Sequence, residues 1–203
     1  DQTGSVIAFL ASYYESGIED ADLEARVVDT LEDAVDSLDE TLLDDGRPMV
    51  CQNAWEDSIG RFTHTTATFL EAYSALAATD LPMADHALDQ ATRVYHAIDD
   101  LWLADRGLYA LREHGAGGLD RRADSATLGL IGAHLTYDKV ATVDADRLDK
   151  LDSHVHTMIE ALWHAPDDSE IAGLYRYEGD GWRQGEQGHE KIWTVSTGWG
   201  ANA

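Results

Sequence analysis

Gln52-Asn53-Ala54-Trp55-Glu56-Asp57-Ser58-Ile59-Gly60 places an indole beside two acids, with a glycine soon after, in a short gap between two long helical patterns. Adjacent side chains do not face each other on a helix. Glu56 and Asp57 can therefore share one site only from irregular backbone or from a helix's first turn, and the gap supplies such a place. Loops held on a rigid framework are where chemistry concentrates, and the rest of the chain reads as scaffold around this one. A plainer reading also fits: acids are favoured at helix starts, where exposed N–H groups carry partial positive charge, and Trp55 then only staples the helix entry to the core.

On either side of the gap the pattern is helical. Val6, Ile7, Phe9, Leu10, Tyr13 and Tyr14 predict a mostly buried helix over residues 3–14, ended by Gly17. Asp20 is placed to cap the next helix, in which Leu23, Val27, Val28, Leu31, Val35, Leu38 and Leu42 recur every three or four residues with acids between them. Residues 65–78 are apolar around most of the girth, whereas 83–103 are amphipathic. Residues 105–120, with four glycines, read as a loop or short hairpin around Leu108-Tyr109-Ala110-Leu111. A small-residue helix follows over 126–135, and then another amphipathic one carrying Leu148, Leu151, Val155, Met158, Ile159, Leu162 and Trp163. Richly apolar and amphipathic helices thus alternate. An inner layer wrapped by an outer layer with one wet face produces such alternation. The sequence predicts an all-α fold, a segment of a toroid of helical hairpins, with strands nearly absent and residues 1–203 forming one domain.

Composition narrows the partners. The chain has 203 residues, 39 acids against 14 bases, and a net charge of −25. Binding to a nucleic-acid backbone requires clustered Lys and Arg, so nucleic acid is excluded as an expected partner. The acids lie along helix faces and not in one tail, which argues against disorder. No apolar run is long enough to span a membrane, and no basic, apolar leader is present. The lone Cys51 cannot form an internal disulfide and reads as a small buried hydrophobe. Solvated or capping roles are expected for His64, His114, His154, His156 and His189, since no metal-ligand spacing appears. The Gly115-Ala116-Gly117-Gly118 run lacks the preceding strand of a phosphate-binding loop. Neither a metal nor a cofactor is called for.

A second chemical stretch is Gly173-Leu174-Tyr175-Arg176-Tyr177-Glu178-Gly179-Asp180-Gly181-Trp182. Aromatics can stack on sugar rings, and a fixed guanidinium donates paired hydrogen bonds to hydroxyls or holds carboxylates. A surface loop with an Arg–Glu pair is the plainer alternative.

Three segments carry a resemblance to one family. Gln-Asn-Ala-Trp-Glu-Asp-x-x-Gly-x-x-Thr-x-Thr from Gln52, Ala123-Asp124-Ser125-Ala126-Thr127-Leu128, and Gly-Leu-x-Arg-Tyr-x-Gly-Asp from Gly173 resemble, in that order, the glucoamylases of glycoside hydrolase family fifteen. The resemblance implies an (α/α)6 barrel, here incomplete at both ends, and inverting release of glucose from α-glucan ends. It implies Glu56 as general acid, Trp55 shaping the pocket against it, and Asp57 and Arg176 binding the α-glucan or oligosaccharide substrate. Asp57 stands where many members carry Glu, so its reach is shorter. Trp193 and Trp199 are expected in the barrel wall and no more. The family's general base and its grip on the terminal glucose fall outside the matched region, so the 203-residue chain alone is expected to be inactive. An incomplete barrel would expose apolar helix edges and self-associate. Trehalases and isomaltose- or dextran-acting enzymes are related alternatives, although trehalase acid loops usually continue with Arg and Gly, unlike Asp57-Ser58-Ile59. A non-catalytic carbohydrate-binding or assembly module, or a bare structural fragment, are alternatives of other classes. Secreted and intracellular versions of such enzymes both make sense.

A dispersed acidic surface with only three Lys suits concentrated salt, where screening removes self-repulsion. The expected outcome is a melting temperature higher at about 1 M than at about 0.1 M salt, as the Debye length shrinks from about 10 Å to about 3 Å. Maximal stability in salt-free water would refute this origin for the charge.

Overall fold

The computed structural model of the chain describes residues 2–203 apart from 116, 168, 187 and 188. Among the described residues there are seven α-helices, joined in several places by strands of two to four residues. Helix α1 (Gln2–Glu15) ends at Gly17, whose φ of +83° suits a residue without Cβ. Helix α2 (Ala21–Asp39) starts at Asp20, whose carboxylate accepts from the N–H groups of Asp22 and Leu23, as its position in the sequence implies. Strands β1 (Cys51–Gln52) and β2 (Ile59–Phe62) then pair antiparallel and run straight into α3 (Thr63–Ala77).

Helix α3 organises the core. Twelve of its fifteen residues are buried, so every face must have a neighbour, and it packs against α1, α4 (Ala84–Ala97) and α5 (Gly129–Tyr137). Its approach to α1 depends on Gly4, where a Cβ would sit 2.9 Å from the Thr68 carbonyl oxygen. Helix α2 packs on α1, and α4 packs on α3 with Ala87, Ala91 and Val94 facing inward. Helix α6 (Ala145–Leu162) lies on the 3-10 turn Ser125–Leu128 and on strand β4 (Leu108–Tyr109). A helix-rich fold is thus present, with α3 enclosed and α2, α4 and α6 burying one stripe each.

Several details differ from the sequence reading. Strands are short but not absent. After α4 a 3-10 turn (Ile98–Leu101) leads into β3 (Trp102–Leu103), paired with β4, so helix 83–103 stops early. Residues 105–120 contribute to two hairpins, the second pairing β5 (Arg112–Glu113) with β6 (Leu119–Asp120). Strands β1, β2, β5 and β6 make one small sheet. The Gly115–Gly118 run lies in the β5–β6 connection, and its Ala116 falls outside the described residues. Helix α1 is not mostly buried: Phe9 is 67% exposed, and Val6 and Tyr13 also face outward. Its apolar residues encircle the helix, while α2 and α3 cover only the side bearing Gly4, Ile7 and Ala11. Leu148 and Trp163, placed inward by periodicity, are exposed, the latter because the chain leaves the helix for strand β7 (Trp163–His164). Cys51 is half-buried. No helix among the described residues is long and apolar enough to cross a membrane.

Two histidines correct the expectation of solvated or capping roles most clearly, because both are buried in the core. His154 Nδ1 accepts from the Tyr109 N–H at 3.1 Å, which leaves Nε2–H to donate to Thr127 Oγ1 at 3.0 Å. His134 Nε2 accepts from Arg147 Nη1 at 2.8 Å, which leaves Nδ1–H to donate to the Leu130 carbonyl at 2.7 Å. A second ring proton would meet a donor in each case. Burial pushes both imidazoles down to about 4. The unfolded chain therefore takes up these protons first as pH falls, so the stability from neutral histidine is complete above about 6.5 and lost on the way to about 4. Each is worth on the order of 2–3 kcal/mol over that window. Thermal denaturation should show the loss between about pH 6.5 and about pH 4, and a flat profile there would contradict the buried neutral assignment.

Candidate functional site

The site gathers where three helices begin. The first turn of α3 meets the turn before α5 through His64 Nδ1–H, which donates to the Ala126 carbonyl at 3.0 Å. That turn meets α7 (Thr194–Asn202) through Ser125 Oγ and Ser196 Oγ, 2.8 Å apart. The connections leading into these helices carry the candidate residues, so helix packing brings distant loops together.

The acid-bearing gap is the turn of the β1–β2 hairpin, not a helix's first turn. Asn53, almost fully buried, builds it. Its side-chain oxygen accepts from the N–H groups of Asp57 and Ser58 at 3.0 and 3.3 Å, and its amide donates to Asp57 Oδ1 at 2.9 Å. Asn is suited to bending a chain back on itself in this way. At the tip Glu56 is exposed and adopts φ +58°, a conformation uncommon outside glycine, Asn and Asp. Gln52 Nε2 donates to the Glu56 carbonyl at 2.7 Å and steadies it.

The arginine loop follows strand β8 (Gly173–Leu174), which pairs with β7. Arg176 is only 4% exposed and donates from Nε and Nη2 to the two oxygens of Asp180 at 2.8 and 2.6 Å. Its Nη1 lies 3.4 Å from Asp57 Oδ2, and the Tyr177 hydroxyl donates to that same oxygen at 2.8 Å. Four rings surround the guanidinium: Trp193 at 4.8 Å, Tyr177 at 5.2 Å, Trp55 at 5.6 Å and Trp182 at 5.8 Å. The structure therefore brings Trp55, Asp57 and Arg176 together. Glu56 shares the hairpin, but the hairpin carboxylate that faces Arg176 is that of its neighbour, Asp57.

Asp124 joins the group from the turn before α5. It is buried, and its Oδ1 accepts from Trp55 Nε1 at 3.1 Å and from the Ala126 N–H at 3.0 Å. Burial pushes its carboxyl up to about 7, against the hydrogen bonds from Ala126 and Trp55, and the nearby Asp57 charge adds to the rise. For Asp57, burial acts upward too, but hydrogen bonds from Asn53 and Tyr177 and the Arg176 charge outweigh it and hold the carboxyl below the ordinary range. On its other side Trp55 borders a cleft of about 530 Å³, whose walls include Ser5, Val6, His64, Val195 and Trp199. Burial pushes the His64 imidazole down to about 4, so it stands in that wall as a neutral ring.

Sequence reasoning passed over Asn53, Asp180 and the part that Trp193 takes. Asp180 sits four residues after Arg176 in a glycine-flanked loop, a spacing that could have flagged the pair; nothing local marks Trp193. No group of three or more His, Cys, Asp or Glu among the described residues is placed to hold a metal ion.

No protein-family model matches the chain, and no curated protein matches it. Among solved structures it is similar to a sugar epimerase from a ruminal bacterium, with a TM-score of 0.58 and 15% identity over 86% of this chain and 44% of the epimerase. The chain thus spans less than half of that enzyme's length, and at this identity the likeness is one of fold.

Replacing Arg176 by Met should cost about 3–5 kcal/mol, because Asp180 is left buried without its cation. Adding Asp180→Asn should recover part of the loss in denaturant titrations. Equal stability of Arg176→Met and the parent would show that the pair contributes nothing.

Proposed function

We propose that this chain carries the general-acid portion of a glucoamylase-like site acting on the ends of α-glucans, within part of an α/α toroid. One observation supports this reading above the others: the Trp55–Asp57 hairpin and the arginine loop, 120 residues apart at Asp57 and Tyr177, meet through the 2.8 Å Tyr177–Asp57 hydrogen bond. Residues that the resemblance implies as one site thus lie together, which supports the reading. The carbohydrate-processing neighbour of shared fold adds support of a more general kind.

In this reading the glycosidic bond lies in the cleft beside Trp55, whose ring offers an apolar face to the sugar. Glu56 gives its proton to the leaving oxygen as the bond to the anomeric carbon breaks. Inversion then needs a carboxylate roughly 6.5–9.5 Å away to take a proton from the attacking water. Asp57 is poorly suited to be that base, because Asn53, Tyr177 and Arg176 already engage both its oxygens. It serves instead to orient hydroxyls and the hairpin. Arg176 has two of its three nitrogens on Asp180, so its contribution to substrate binding passes through Nη1 or through the rings it holds. No residue of this chain is assigned as the base, and the chain by itself is expected to release little glucose.

The exposed position of Glu56 favours a second reading, a carbohydrate-binding module without catalysis that uses the same cleft. Calorimetric titration with maltose and maltotriose, followed also by tryptophan fluorescence, tests both. We expect binding that weakens about tenfold or more in Trp55→Ala, the equivalent of about 1.4 kcal/mol. Glu56→Gln should leave affinity within about threefold and abolish whatever glucose release the parent shows. Release unaffected by Glu56→Gln leaves the binding-module reading; absence of binding to either sugar overturns both.

A further inference from the structure

Asp124 occupies a place that neither reading explains by contact with substrate. It is 3% exposed, so no sugar reaches it. Its side chain holds Trp55 by the indole nitrogen, while its backbone is tied to the other loop. Asp124 forms an antiparallel bridge with Tyr177, the Ser125 N–H donates to the Arg176 carbonyl at 2.8 Å, and the Glu178 N–H donates to the Ala123 carbonyl at 2.9 Å. Glu178 closes the joint from outside: its carboxylate accepts from the Ala123 N–H at 2.7 Å and from Arg106 at 2.9 and 3.0 Å. Beneath, Thr127 Oγ1 donates to the Asp124 carbonyl at 2.6 Å and is itself held by the buried His154.

We propose that Asp124 is a positioning residue: it locks the Trp55 ring against the arginine loop, and so sets sugar affinity without touching sugar. One residue is the shared anchor of the two loops: its carboxyl holds Trp55 and its backbone is bridged to Tyr177 of the arginine loop. A helix cap would need only the Ala126 N–H; the indole contact is beyond that need, and it fixes the ring plane that faces the cleft. Charged groups near the carboxyl are Asp57 on the hairpin, Arg122 just before it, and Arg176, Asp180 and Glu178 across the bridge. Their balance, together with burial, leaves the carboxyl able to change its charge near neutral pH, and the indole N–H is the group that reports it.

The effect on affinity rests on Trp55 being a sugar platform; the lock itself does not. The test therefore has two readouts, the Trp55 indole N–H resonance in a ¹H–¹⁵N spectrum and the titration with maltotriose. In the parent, that resonance should shift with pH around 7. Asp124→Asn keeps an acceptor oxygen, so it should retain affinity within about threefold and lose the pH-dependent shift. Asp124→Ala and Trp55→Phe should each lower affinity about tenfold, and the double variant should lower it no further, because they break one contact. If Asp124→Ala is too unstable to fold, Trp55→Phe alone carries the affinity arm. An indole resonance unmoved by Asp124→Asn at all pH values overturns the lock. So does additive loss in the double variant. A resonance that behaves as expected with no maltotriose binding in the parent keeps the lock and removes its role in sugar affinity.

Discussion

A guanidinium taken out of water must recover its hydration from neighbours, and at Arg176 that requirement fixes the geometry around it. Asp180 meets it on two nitrogens in the fork-to-fork arrangement that arginine favours. The faces of the ion are covered by rings, whose electron-rich surfaces attract a cation. What remains is one nitrogen, Nη1, and 3.4 Å from it lies a carboxylate from a loop far away in sequence. The convergence of the two loops is thus a consequence of solvating one charge. Remove the cation and both the buried Asp180 and the orientation of the Trp55 hairpin lose their reason. The remaining contacts around the site, from Tyr177 to Asp124, are built outward from it.

The helices supply the precision that such a network needs. Hydrogen-bond distances near 3 Å between loops are kept only where the elements under the loops cannot slide. Helix α3 is enclosed by α1, α4 and α5, and Gly4 lets α1 come so close that a methyl group would strike the Thr68 carbonyl. In strand β2, a Cβ at Gly60 would fall 2.7 Å from the Arg112 side chain and 3.1 Å from the Glu113 carbonyl oxygen. The Thr63 hydroxyl donates to the Ala110 carbonyl just where β2 becomes α3. The last two ties lie in strand β2 and at its junction with α3, away from the hairpin tip that presents Glu56.

How much of this was legible in the sequence divides along a physical line. Helices α2, α4 and α6 announce themselves, because one buried stripe against an acidic face leaves a period of three to four residues. The cap at Asp20 and the stop at Gly17 are local chemistry and were legible for the same reason. Helix α1 misled: a helix apolar all round predicts burial, yet burial depends on neighbours, which the helix's own residues do not encode. The paired two-residue strands escaped because alternation over two residues cannot be distinguished from chance. At the site, local chemistry marked the stretches holding Trp55, Asp57 and Arg176, while the roles of these residues came through resemblance in three segments. Asp124 stood in one of those segments without a role, and its contact with Trp55, 69 residues away, is a fact of tertiary structure alone.

The carboxyls of Asp57 and Asp124 share a burden and differ in how it is relieved. Asp124 is buried and Asp57 only partly covered, and desolvation raises both. What separates them is the donors each receives. Asp57 has an amide, a phenol and a cation, and is held below the usual range; Asp124 has one N–H from the backbone and one from an indole, and is pushed up to about 7. Each also bears on the other, since the negative charge of Asp57 makes a second negative charge at Asp124 harder to hold. Placing the cation beside the outer acid therefore keeps that acid charged, and its charge adds to the burial that raises the inner one. Environments that drive two acids apart in this way are how one site holds a charge and a proton at the same pH, and here the division follows from which of the two acids the arginine faces.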